Sequence, residues 1–336
     1  MGITTRRRNE CKGSGVTMSA VKTAKETIQL LKGRDFLQIS DFTKEELTAL
    51  IEFALELKTA QKNGEEHHYL KGKTLAMIFE KSSTRTRVSF ETGMFQLGGH
   101  AQFLSSRDMQ LGNGETIHDT AKVLSRFVDC MMIRTFGHDI VEELAEHASI
   151  PIINGLTDDA HPCQVLADLV TIYEKKGTFS GLKFAYIGDG NNMTHSLMMG
   201  CATMGIDCYV AVPKGNEVSE KVLQEAKETA SNSNATVVQT YDPVEAVKDA
   251  DIIYTDVWAS MGWEGDKKAR VNEFANYQVN DALVAHAKDD YVFMHCLPAI
   301  REEEVTASVI DGKNSIVFDQ AENRLHAQKA ILAAIV

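Results

Sequence analysis

The nine residues Phe79-Glu80-Lys81-Ser82-Ser83-Thr84-Arg85-Thr86-Arg87 constrain this chain more than any other stretch. They follow a short apolar run, Leu75 to Phe79, and precede Val88, Thr92 and Phe95 at helical spacing. The run reads as a buried strand and the spaced residues as one face of a helix, so Ser83 and Thr84 fall at the helix start. Hydroxyls, two guanidiniums and the unpaired N–H groups of a first helical turn are then crowded into one loop, which suits a dianion such as a phosphate. Ser and Thr cap many helices, but capping does not account for Arg alternating with Thr directly after a strand.

The rest of the chain repeats the alternation. Asp41-Phe42-Thr43-Lys44-Glu45-Glu46 is a helix-start pattern ahead of Leu47, Leu50, Ile51, Ala54 and Leu57, and this first helix runs to about Gln61. Strands are expected at Leu75 to Phe79, Ala101 to Leu104, Cys130 to Arg134 and Ile150 to Ile153, with helices between them, which describes an α/β domain with a parallel sheet. His161-Pro162 opens a long helix over Cys163 to Lys176, with Pro at its first position and Gly177 at its end. Beyond it strands recur at Leu182 to Ile187, Asp207 to Val212, Thr236 to Thr240, Asp251 to Tyr254 and Tyr291 to Met294, so a second doubly wound domain follows. A final helix, Glu322 to Val336, presents Leu325, Leu332 and Ile335 on one face and is free to return to the first domain.

The expected organisation is therefore a flexible basic segment over 1–34, a first domain over 35–161 completed by the helix 322–336, and a second domain over 162–321, with the active site in the cleft between two parallel-sheet domains. A length of 336 residues, 43% of them hydrophobic, is enough for two cores. Arg6-Arg7-Arg8 could begin a mitochondrial transit peptide, but Glu10 and the lack of an amphipathic helix favour Met18 as the true start. No apolar run approaches a membrane span, and a net charge of −12 argues against nucleic acid or anionic lipid as partner. The cysteines Cys11, Cys130, Cys163, Cys201, Cys208 and Cys296 show no zinc-site spacing, so no metal is expected and a reducing cytoplasm is the expected home.

Ligand groups gather at the carboxyl ends of strands in such sheets. Arg134 ends one strand, and His161-Pro162-Cys163-Gln164 stands in the loop and first turn after another, so both should face the crevice that Arg85 faces. Taken singly, an Arg or a His is more often structural, Asp256 could cap a helix, and Asn192 could form a turn. A buried Cys is usually a small hydrophobe, so Cys296 is not read as a nucleophile.

Ser-Thr-Arg-Thr-Arg after a strand resembles the carbamoyl phosphate loop of the aspartate and ornithine carbamoyltransferases, and the likeness extends from about Lys32 to Val336. It implies that Ser83, Thr84, Arg85 and Thr86 bind carbamoyl phosphate with Arg134, His161, Pro162, Cys163, Gln164, Cys296, Leu297 and Arg324, the last in Asp319-Gln320-Ala321-Glu322-Asn323-Arg324. Arg85, Arg134, His161 and Cys296 would be the catalytic set. Gln110 matches the family residue that reaches the phosphate from a neighbouring subunit, which implies a homotrimer with shared sites. Asp256-Val257-Trp258-Ala259-Ser260-Met261-Gly262 carries the Ser-Met-Gly of ornithine carbamoyltransferases, absent from the aspartate enzymes. With it come roles for Asp256 and Ser260 on the ornithine ammonium, and for Asn192 and the Met261 backbone on the carboxylate.

The implied reaction is attack of the ornithine side-chain amine on carbamoyl phosphate, giving citrulline and phosphate in arginine metabolism, without cofactor or metal. The charged segment Trp263 to Asn276 would act as a lid over this water-sensitive donor. Within the family putrescine is the rival acceptor. Outside it, Tyr186-Ile187-Gly188-Asp189-Gly190 resembles half of a dinucleotide fingerprint, but the third Gly and a well-placed acidic residue are missing, which argues against an NAD oxidoreductase. A non-catalytic binding protein would keep one half-site and lose the other, whereas both are present here.

Overall fold

The computed structural model describes residues 23–112, 114–259 and 267–336. Helices α1 (Ala24–Leu30) and α2 (Lys44–Lys62) lead into β1 (Thr74–Phe79), α3 (Thr84–Gln96), β2 (His100–Ser105), α4 (Ile117–Leu124), β3 (Cys130–Arg134), α5 (His138–His147) and β4 (Ile152–Leu156). Helix α6 (Pro162–Lys176) connects to β5 (Lys183–Ile187), α7 (Asn192–Met204), β6 (Asp207–Ala211), α8 (Glu220–Ser233), β7 (Val237–Thr240), α9 (Pro243–Val247) and β8 (Ile252–Thr255). The chain ends with α10 (Lys267–Phe274), α11 (Asp281–Val284), β9 (Val292–His295), α12 (Ala307–Ile310) and α13 (Val317–Ile335).

Two wholly parallel sheets result, in the orders β2-β1-β3-β4 and β7-β6-β5-β8-β9. Each order reverses once, between β1 and β3 and between β5 and β8, and such reversals open a crevice at the carboxyl ends of the strands. The near-continuous apolar runs of β1, β3, β5 and β8 fit strands covered on both faces.

Local chemistry sets the helix ends. Thr43 and Glu46 form the reciprocal capping box of α2, each side chain accepting from the other's N–H at 3.2 and 2.9 Å. Pro162 starts α6 and Gly177, at φ +70°, ends it in the left-handed conformation. Helix α13 packs on α6, α2 and α3. One buried cluster runs from Leu47, Phe90 and Leu166 through Ile331 and Leu332 to Phe184, Tyr254 and Met294, so α6 and α13 lie between the two sheets.

Two expectations are corrected. Residues 24–34 are not a flexible tail: α1 has its own capping box, Thr23 with Glu26, packs on α2, and buries Leu31 completely. Phe36 then continues beside β4, donating to the Ile152 carbonyl at 2.8 Å and accepting from Asn154 N–H at 2.9 Å. The last helix begins at Val317, five residues before Glu322; α3 begins at Thr84 after Ser83, as expected. Residues 1–22 lie outside the described residues.

Candidate active site

The anion loop has the form its sequence implies. Ser83 is the N-cap of the 13-residue α3, its Oγ accepting from Thr86 N–H at 3.2 Å and donating to Thr86 Oγ1 at 3.0 Å. Thr84, Arg85 and Thr86 form the first helical turn, where backbone N–H groups point outward and the helix dipole favours an anion. Arg134 lies beside this loop because it pairs in register with Phe79, the last residue of β1. Its carbonyl accepts from Glu80 N–H and Lys81 N–H at 2.9 and 3.3 Å, fixing the loop's exit from the sheet. Arg324 arrives from α13 and donates through Nη2 to Thr86 Oγ1 at 2.8 Å.

His161, Pro162, Cys163 and Gln164 are all buried at the start of α6. The backbone N–H of His161 donates to Ser196 Oγ on α7 at 2.9 Å, and Cys163 Sγ donates to the Asn154 carbonyl at 3.4 Å. Burial, then Arg324, Arg134 and Arg85 in that order, push the His161 pKa well below its ordinary value, so the ring is neutral at physiological pH. Burial and the neighbouring guanidiniums of Arg324 and Arg85 bring Arg134 down to about 9. Five buried polar atoms here have no partner among the described residues: Nε of Arg85, Arg134 and Arg324, Nδ1 of His161 and Oε1 of Gln164. Orphaned buried donors are rare, and these orphans belong to residues expected at the donor site.

The second sheet supplies the other wall. Asp256 follows β8 and accepts from Val257 N–H at 2.8 Å and from the Cys296 thiol at 3.0 Å, both on Oδ1. Desolvation and then Asp256 push the Cys296 pKa well above its ordinary value, so the sulfur stays a thiol. Leu297, at φ +57°, turns the chain sharply after β9, and its N–H donates to His295 Nδ1 at 2.9 Å. The other ring nitrogen of His295 faces Glu304 Oε1 at 3.2 Å, and both side chains are buried. Ligating atoms of Asp256, His295 and Cys296 lie within 4.8 Å of one another, but both imidazole nitrogens are already engaged, so this set does not fit a metal.

The structure thus brings together Ser83, Thr84, Arg85, Thr86, Arg134, His161 and Arg324, with Cys296 close to Arg134 and Arg324 from the second sheet. Asn192, the first residue of α7, has its Nδ2 engaged by the Thr157 carbonyl at 2.5 Å, so in this state its amide bridges toward the first sheet. Gln110 lies exposed on a turn beyond the edge strand β2, its carbonyl accepting locally from Glu115 N–H. Ser260 and Met261, and the start of the expected lid from Trp263 to Asp266, lie outside the described residues, while the rest of it is α10 and the residues after it. Just beyond them Arg270 of α10 pairs with Asp189 at 2.5 Å and donates to the Trp258 carbonyl, so the acidic residue of the Gly188-Asp189-Gly190 loop is tied to α10.

Asp168 was not singled out from the sequence. Fully buried on α6, it accepts from Gln164 Nε2 at 2.8 Å and Gln320 Nε2 at 2.7 Å, both on Oδ1, and from Tyr254 OH at 3.2 Å on Oδ2. Its spacing of four from Gln164 on one helix was the available signal.

Comparison with known proteins agrees with this geometry. Residues 34–174 match the family described as the carbamoyl-P binding domain of aspartate/ornithine carbamoyltransferase, and residues 180–335 match its Asp/Orn binding domain. The chain is 63% identical over 310 residues to an ornithine carbamoyltransferase of Anoxybacillus flavithermus, covering 92% of this chain and 98% of that protein. It is 62% identical over 306 residues to the Bacillus subtilis ornithine carbamoyltransferase, covering 91% and 95%. Among solved structures, that of ornithine carbamoyltransferase from Pyrococcus furiosus superimposes with a TM-score of 0.89 at 57% identity, covering 91% of this chain and 97% of the other.

Proposed function

This chain belongs to the aspartate/ornithine carbamoyltransferase family, and from that premise we propose that it transfers the carbamoyl group of carbamoyl phosphate to the side-chain amine of L-ornithine, giving L-citrulline and phosphate. The observation that carries the reading is the convergence of Arg85, Arg134 and Arg324 on a neutral His161, each with a buried nitrogen that lacks a protein partner. Such a cluster is unfavourable by itself and favourable around a dianion.

In this reading the phosphate lies on Ser83, Thr84, Arg85 and Thr86 at the start of α3, and the carbonyl oxygen faces Arg85, Arg134 and His161. These donors act on the oxyanion that develops as the amine attacks, where preorganised donors have most effect. Gln164, Cys296 and the Leu297 backbone hold the carbamoyl amino end, with Pro162 and Cys163 shaping the turn that presents Gln164. Asp256 and Ser260 take the α-ammonium of ornithine, and Asn192 with the Met261 N–H takes its carboxylate. The amine attacks neutral and forms the new C–N bond, the tetrahedral intermediate breaks its C–O bond to phosphate, and the proton shed by the attacking nitrogen is taken up by the departing phosphate. Of the expected halves, 35–161 with 322–336 for the donor and 162–321 for the acceptor, we keep the division and extend the first to take in α1 and the whole of α13, with Gln164, Cys296 and Leu297 reaching the donor from the second.

A homotrimer completes the proposal, with Gln110 reaching a neighbour's phosphate. Support comes from large apolar side chains exposed on the elements that precede Gln110, Val88 at 54% and Phe95 at 79% on α3 and Phe103 at 37% on β2, which suit subunit contact. Among the described residues no helix is long and apolar enough to cross a membrane, in keeping with the cytoplasmic setting we assign. The biosynthetic direction is favoured because the similar proteins of Pyrococcus furiosus and Campylobacter jejuni are named anabolic.

The test is citrulline formation from carbamoyl phosphate and ornithine, run beside carbamoylation of putrescine and of aspartate. Product with ornithine alone is expected. Turnover with aspartate instead would overturn the acceptor assignment and leave the donor site standing.

A further inference from the structure

Gln164 sits one turn into α6, three residues after His161 and hence on the same helix face. An amide side chain is ambiguous as a reader of ligands, because a half-turn exchanges its acceptor for its donors. Here the ambiguity is removed by Asp168, whose Oδ1 accepts from Gln164 Nε2 at 2.8 Å. A carboxylate only accepts, so the Gln164 NH2 group must face Asp168 and its carbonyl oxygen must face away, and that Oε1 is buried without a partner among the described residues.

The anchor is itself held from three elements. Gln320 of α13 donates from Nε2 to the same Oδ1 at 2.7 Å and to Tyr254 Oη at 3.1 Å, while its own Oε1 accepts from His295 N–H at 2.9 Å. Tyr254 OH donates to Oδ2 at 3.2 Å. Burial raises the Asp168 pKa to about 7, against the hydrogen bonds from Gln164, Gln320 and Tyr254. Were a proton taken up on Oδ2, toward Tyr254, Oδ1 would remain an acceptor and the orientation of Gln164 would not change.

We propose that Asp168 is a positioning residue for donor selectivity: it locks the Gln164 amide so that a carbonyl oxygen meets the ligand, which admits a donor bearing N–H groups, a carbamoyl group, and disfavours one bearing a methyl in that place, an acetyl group. This rests on the placing of Gln164 at the donor's amino end given above. Asp168 touches no substrate in this scheme and acts only through Gln164, with Gln320 as its brace.

Two stable, nearly isosteric phosphonates separate the possibilities: phosphonoacetamide, which carries the amide NH2, and acetonylphosphonate, which carries methyl. Binding is measured calorimetrically on the full chain. Wild type should prefer phosphonoacetamide by about tenfold or more, the effect of one buried acceptor left unpaired. Asp168→Ala should bring the two affinities within about threefold, as should Gln164→Ala, and the double variant should lose no more than either single one, since residues acting through one another are not additive. Asp168→Leu, which removes the acceptor while filling its space, carries the same expectation if the alanine variant fails to fold. Asp168→Asn, which keeps one acceptor for Gln164, should retain most of the preference. A preference that survives Asp168→Ala or Asp168→Leu but is lost in Gln164→Ala would overturn the inference alone. No preference in the wild type would overturn it together with the placing of Gln164.

Discussion

The Cys296 thiol donates to Asp256 Oδ1 at 3.0 Å, so the last residue gathered from one strand end satisfies the first charged residue of another. A sulfur held as a neutral donor beside a carboxylate is a poor nucleophile. Cys296→Ser, which keeps a donor at that place, should therefore retain kcat within about tenfold, and Asp256→Asn should raise the ornithine KM by more than Cys296→Ser does. Loss of all turnover in a folded Cys296→Ser variant would instead indicate covalent catalysis.

Arg85→Ala should lower kcat by about 10²- to 10³-fold, because the guanidinium serves both the dianion and the developing oxyanion. A folded variant that keeps more than about a tenth of wild-type turnover would contradict the role given to Arg85.

Arg134 is nearly buried and surrounded by like charge, which destabilises the ligand-free protein. Replacing a buried charge by an apolar group of similar size is often stabilising by about 1–4 kcal/mol. Arg134→Met should accordingly raise the Tm of the free protein while abolishing the further rise that carbamoyl phosphate or phosphonoacetamide gives the wild type. A lower Tm in the variant would show that Arg134 is held by interactions stronger than the repulsion.

The pH dependence follows from two signs. His161 has its pKa well below 6.5, so it is already neutral at pH 7 and adds no limb above that pH. An alkyl amine like that of Lys has a pKa near about 10.4, so its neutral fraction rises about tenfold per pH unit. The kcat/KM for ornithine should climb from about pH 7 to about 8.5 for that reason. A flat profile measured over this window would mean that the amine is deprotonated on the enzyme.

Ornithine should exceed putrescine in kcat/KM by about 10²-fold or more. Putrescine lacks the carboxylate and leaves Asn192 and the Met261 N–H without a charged partner, at about 1–3 kcal/mol each. Lysine overshoots by a methylene and should be poor too, since misplacement by about 1 Å can cost on the order of 10²-fold. Equal kcat/KM for putrescine and ornithine would overturn the reading of the Ser-Met-Gly loop.

The sheets, their order of use and the anion loop were legible because apolar runs and loop chemistry recur with strand and helix periods. Thr43 with Glu46, then Pro162 and Gly177, mark three helix ends by local chemistry alone. Helix α1 was not legible: it has seven residues, mostly Lys, Glu, Gln and Thr, and such a short helix exists only because it docks on α2. The start of α13 was missed because Val317 and Phe318 resemble a strand end, whereas burial of Val317 against the second sheet's core holds them helical. Asp168 was hidden because a single acid in an apolar helix shows its purpose only once Gln320 and Tyr254 arrive from distant sequence. The corrected N-terminus has a consequence: truncation to Met18 should leave the Tm unchanged, while removal through Arg34 should lower it, since Leu31 is wholly buried.

Helix α13 is made after every other described element, yet it brings Arg324 to Thr86 and packs on α2 and α3, which are made early. The donor pocket therefore cannot be finished on a nascent chain, however well its early half has folded. A polypeptide that stops short of Arg324 lacks one wall of the pocket that Ser83 to Thr86 begin, however completely the strands and helices between them have folded.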